Sequence, residues 1–79
     1  MKFKNDLLKQ AWKRLTDKWG KAIQHVPVTH LKAEMDSEVL YALVAALRMC
    51  SNMEAYQQFV TSVMDELNTA WENYAISRE

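Results

Sequence analysis

The sequence predicts an all-α fold, a three-helix bundle-like single domain over residues 1–79, and three observations carry that expectation. One Gly and one Pro in 79 residues are too few to punctuate a strand-and-turn protein. Hydrophobic residues at 49% and charged ones at 25% match a domain that buries a core, not a disordered chain. Apolar residues recur at three- and four-residue spacing in the first and last thirds of the chain, the period of a helix face. A chain of this length holds one core, which excludes a multidomain enzyme.

Helix 1 is expected over about residues 4–25. Leu8, Ala11, Trp12, Leu15, Trp19, Ala22, Ile23 and Val26 fall on one face of it. Gly20 lies inside, at a cost of about 1 kcal/mol relative to alanine, and invites a bend. Pro27 ends the helix, because the residue before a proline is pushed away from helical geometry. Residues 26–36 then read as a connection, with a short helical turn near Thr29.

Helix 2 is expected over about 37–50, with Asp36 or Ser37 accepting from the orphan amides at its start. Leu40, Leu43, Val44, Leu47 and Cys50 form one stripe, assigned to the core. Tyr41, Ala42, Ala45, Ala46 and Met49 make the opposite side apolar as well, so this helix is either central or has a second contact surface. Ser51 and Glu54 fit a capping box that opens helix 3, expected over about 52–76. Tyr56, Phe59, Val60, Val63, Met64, Leu67, Ala70, Trp71 and Tyr74 repeat along it at helical spacing. The three tryptophans belong to the core of this arrangement. Two long helices and a short one leave uncovered length, which together with the small size favours a homodimer or a protein partner.

Net charge is zero, but it is unevenly spread. Residues 1–25 carry seven cations against two anions, +5, and residues 26–79 carry three against eight, −5. No uninterrupted apolar stretch precedes a cleavage site in the first fifteen residues, so no signal peptide is expected. The longest apolar run, Val39 to Leu47, has nine residues where a membrane span needs about 20. A lone cysteine, Cys50, cannot make an internal disulfide and favours a cytoplasmic setting.

Chemistry finds little to stand on. His25, His30 and Cys50 match no zinc spacing, so no metal or other cofactor is expected. Cys50 precedes a helix start, where a thiol can be activated, but it also continues the Leu43 and Leu47 stripe as a small buried hydrophobe. No phosphate loop, serine elbow or dinucleotide fingerprint is present, and the expectation is a protein that is not an enzyme.

Polyanion binding is the first alternative, through Lys9, Lys13, Arg14, Lys18 and Lys21 on helix 1. Lys9 and Lys13 lie on one flank of the apolar face and Arg14, Lys18 and Lys21 on the other, while Asp6, Gln10, Asp17 and Gln24 split the basic surface. Asp17 and Lys21 are also placed for an i,i+4 pair. Helix 3 has no Lys or Arg from Asn52 to Ser77, and Glu54, Asp65 and Glu72 face outward, which excludes it as a recognition helix on DNA. Helix 1 has the Lys-plus-Trp composition of a membrane-surface helix, but binding there would pull Trp12 and Trp19 out of the core.

The leading expectation is a helical interaction protein that binds and regulates a larger macromolecular partner, inhibiting it by occluding or bridging its sites. Small helical accessory proteins of phages and mobile elements supply the analogy. Tyr41, Ala42, Ala45 and Met49 are the expected contact residues: small residues permit close helix approach, Met adapts, and Tyr anchors interfaces.

Overall fold

The computed structural model describes residues 1–78. Its α-helices are α1 (Asp6–Trp19), α2 (Val28–Met49) and α3 (Met53–Arg78), with a 3₁₀ turn, Gly20–His25, between the first two. No strand occurs among the described residues, so the all-α, three-helix expectation holds. Lys18 meets Glu34 while Arg14 meets Glu38, which sets α1 antiparallel to α2. A three-residue loop, Cys50 to Asn52, folds α3 back along α2.

The start of α1 is capped by Asn5, whose Oδ1 accepts from the amides of Leu7 at 2.9 Å and Leu8 at 3.4 Å. Leu8, Ala11 and Leu15 are buried from this helix. The α-helix stops at Gly20 instead of running to residue 25, because Gly20 has φ 56° and ψ −136°, a region that residues with a Cβ avoid. The 3₁₀ turn that follows winds more tightly and takes Lys21 out of register. The expected Asp17–Lys21 pair is accordingly not among the ion pairs of the described residues.

The connection expected over 26–36 is a correction. Only Val26 and Pro27 are non-helical, and α2 begins at Val28. Pro27 has φ −56° and ψ 141°, and its carbonyl accepts from the amides of His30 and Leu31, both at 3.0 Å. One proline thus closes the first helical segment and opens the next. Asp36 and Ser37 are exposed residues in mid-helix, not caps. The buried residues of α2 are Leu31, Met35, Val39 and Leu43, a strict four-residue spacing that begins inside the supposed connection.

At the second turn the N-cap is Asn52, not Ser51. Asn52 Oδ1 accepts from the amides of Glu54 at 3.0 Å and Ala55 at 3.2 Å. Tyr56 Oη donates to the Leu43 carbonyl at 2.8 Å, tying the first turn of α3 to α2. From α3 the core receives Val63, Leu67 and Trp71.

Of the three tryptophans, Trp71 is buried, whereas Trp12 and Trp19 are half-buried against the core. Trp12 meets Trp71 edge-on with ring centroids 6.2 Å apart, and Tyr74 at 5.7 Å, geometries aromatic pairs prefer. Phe3 joins the core from the segment ahead of α1. That segment is held by Glu66, whose Oε2 accepts from the amides of Lys4 and Asn5 at 3.1 and 3.2 Å.

Candidate interaction surface

Helix α1 crosses the α2–α3 hairpin obliquely. Its C-terminal end rests on α2, where Lys18 Nζ donates to Glu34 Oε1 at 2.7 Å and Trp19 Nε1 donates to Glu34 Oε2. Its N-terminal end is moored to α3 at Glu66. The lengths do not match: 14, 22 and 26 residues correspond to about 21, 33 and 39 Å at 1.5 Å per residue. The molecule measures 41 × 22 × 18 Å, and the far end of the hairpin has no third helix over it.

Residues seven apart lie on nearly the same helix face, so exposure along such a series traces where the cover ends. On α2, Met35 is fully buried, Ala42 is half-buried and Met49 is 89% exposed. On α3 the series runs in reverse: Leu67 is 1% exposed, Val60 is half-buried and Met53 is 55% exposed. Both helices lose their cover toward the loop that joins them. Of the large exposed hydrophobics among the described residues, all but Ile76 fall between Leu40 and Met64.

The four expected contact residues lie in this bare region. Tyr41 is 80% exposed, Ala45 and Met49 are exposed, and Ala42 is half-buried. Three of them sit seven residues beyond a residue under or beside α1: Tyr41 follows Glu34, Ala42 follows Met35 and Ala45 follows Glu38, while Met49 follows Ala42 in turn. They therefore continue, toward the loop, the face of α2 on which α1 packs. Ser37, Leu40, Tyr41, Val44, Ala45 and Arg48 line a shallow concavity of about 310 Å³ on α2.

Leu40, Val44 and Leu47 correct the core assignment of their stripe. They are 64%, 46% and 40% exposed, and Cys50 is only half-buried at the helix end; of the five, Leu43 alone is in the core. With apolar residues around most of the circumference, spacing could not say which side faces inward. The four-residue series from Leu31 was the available signal. Cys50 is extended at the C-cap of α2, and its thiol donates to the Asn52 carbonyl at 3.1 Å.

The basic residues do not form one surface. Lys9 is 3.9 Å from Asp6, Arg14 is 3.6 Å from Glu38 and Lys18 is 2.7 Å from Glu34. Lys13 and Lys21 are exposed. Glu34 is the best-connected group: besides Lys18 and Trp19, His30 Nε2 lies 3.7 Å from it. The hydrogen bonds from Lys18 and then Trp19 hold its carboxyl below the ordinary value, since both favour the charged form. Lys18 also stands over the Trp19 ring at 5.5 Å. This cluster is the latch of α1 on α2. No helix among the described residues is long and apolar enough to cross a membrane.

No family model, curated protein or solved structure matches the chain.

Proposed function

We propose that this chain is a non-enzymatic interaction protein that docks on a larger protein partner through the bare end of the α2–α3 hairpin. The observation that carries the reading is the paired loss of cover, from Met35 to Met49 on α2 and from Leu67 to Met53 on α3. Apolar area left in water costs about 25 cal/mol per Å², and exposed apolar residues gathered at one end of a molecule favour a contact surface there. An amphipathic helix of the partner laid against the tip would use a recurring mode of recognition. Methionines at the tip, Met49 and Met53, adapt to such a partner. Occupying a site on the partner is the action such a face supplies, so the regulation we propose is inhibition by occlusion, as in small phage-type accessory proteins.

Nucleic acid on helix 1 is the weaker reading. Arg14 and Lys18 already face carboxylates of α2, which would compete with phosphates for them.

The test compares affinity capture from source-cell lysate by the tagged wild-type chain and by a Met49→Glu, Met53→Glu double variant, with and without nuclease. Capture of one stoichiometric protein by the wild type, resistant to nuclease and lost in the variant, is expected. Capture unchanged in the variant, or abolished by nuclease, overturns the reading.

A further inference from the structure

The outward face of α2 beside this tip has a composition that matches itself. Six residues line its concavity: Ser37, Leu40, Tyr41, Val44, Ala45 and Arg48. Turned end for end about a two-fold axis between Ala42 and Leu43, the set maps onto itself, with Leu40 opposite Ala45, Tyr41 opposite Val44 and Ser37 opposite Arg48. Any such stripe maps onto itself; the chemistry of the pairs is what distinguishes this one. Each large side chain meets a smaller one, as interdigitating helices require, and Ala45 leaves room for Leu40 of the other copy.

Charge points the same way. Arg48 is the one charged residue lining the concavity. The antiparallel arrangement brings it beside Ser37 and Glu38 of the second copy. Glu38 is half-buried and holds Arg14 at 3.6 Å, so it offers a carboxylate already fixed in place. A parallel two-fold arrangement would set Arg48 against Arg48 and Ala45 against Ala45, giving repulsion and a gap.

We infer that this face is covered by a second copy of the chain, α2 packing antiparallel on α2. The inference rests on the reading of the bare hairpin end as a docking region and names the occupant of its α2 side. In the dimer the two tips, each with Met49 and Met53, point in opposite directions. The assembly then presents two docking ends, and bridging two sites on a partner becomes possible alongside occlusion.

Two helices crossing over three turns make a contact near the small end of stable interfaces, about 1,200 Å² in total, so dissociation in the micromolar range is expected. Sedimentation of the full chain from about 1 μM to about 500 μM should show monomer passing to dimer. Ala45→Glu, at an exposed position, should weaken dimerisation at least about tenfold with helicity unchanged by circular dichroism. Arg48→Glu should weaken it too, and Glu38→Arg with Arg48→Glu should restore it once Arg14→Glu is added, because the partner of residue 38 on α1 is then reversed as well. A monomer across the whole range, a dimer indifferent to Ala45→Glu, or no recovery in the triple variant overturns the inference. Failure here is separable from failure of the function. A monomer whose protein capture is still lost with Met49→Glu and Met53→Glu keeps the docking function, whereas a dimer of this geometry without capture keeps only the self-association.

Discussion

The two ends of the α2–α3 hairpin are built from the same kinds of residue and differ in what lies over them. At the base, Met35, Val39, Val63, Leu67 and Trp71 are enclosed by α1 and by the first residues of the chain, with Phe3 inserted among them. At the tip, Val44, Leu47, Met49 and Met53 have equal apolar character and stand in water. Equal hydrophobicity therefore does not fix burial. Burial is decided by the reach of α1, whose C-terminal end lies at the base beside Glu34 and whose N-terminal end is held to α3 at Glu66.

The sharpest way to break the comparison is to truncate the same residue type at each end. Met35→Ala should destabilise the fold by about 2–5 kcal/mol, the range for removing a buried methionine. Met49→Ala, two heptads along the same face, should change it by less than about 0.5 kcal/mol. Urea unfolding followed by circular dichroism measures both. Similar losses at the two positions would mean that the tip is covered in solution.

A smaller effect is expected at the turn that defines the tip. Asn52→Ala removes the oxygen that caps α3 and should cost about 1 kcal/mol, while Ser51→Ala should be near neutral. The reverse order in urea unfolding would restore the capping box of Ser51 and Glu54.

That turn also shows how far the sequence could be read. The three helices, the break at Pro27, the core face of α1 and the long apolar series of α3 follow from spacing and from one proline. The start of α2 did not, because Asp36 and Ser37 have the chemistry of caps, and a cap signal is local while the Leu31, Met35, Val39, Leu43 series is a longer-range one. Propensity was outvoted by packing. The exposed apolar residues of α2 are legible in part: Tyr41, Ala42, Ala45 and Met49, the contact residues proposed here, stand out as an apolar surplus on a helix already supplied with a core stripe. Leu40, Val44 and Leu47 were not, since knowing that they are exposed requires knowing where another helix ends. The strap from Met1 to Asn5 escaped for a related reason. A single Phe has no period, and its anchor, Glu66, is 61 residues away from Asn5.

The base has a pH response at Glu34, and it sharpens the contrast further. Glu34 joins α1 to α2 through Lys18 and Trp19, and its carboxyl titrates below the ordinary 4.5 in the folded chain because those donors favour the charged form. The folded state thus holds this proton more weakly than the unfolded state does. The stability that follows from it is fully present above about pH 4.5 and is lost as pH falls through the folded value. Because Lys18 is well exposed, solvent screening keeps this contribution small. Glu34→Gln should lower stability near neutral pH and flatten its decline below about pH 4.5, measured as urea midpoints from neutral pH down to about pH 3. The amide can still accept from Trp19, so the latch loosens and does not open. The tip should not respond: Met49→Glu near neutral pH should leave the acid-induced shift of the urea midpoint unchanged, since Met49 lies outside the Lys18, Trp19, His30 and Glu34 cluster. An acid response that vanished with Met49→Glu but survived Glu34→Gln would place the latch at the wrong end of the hairpin.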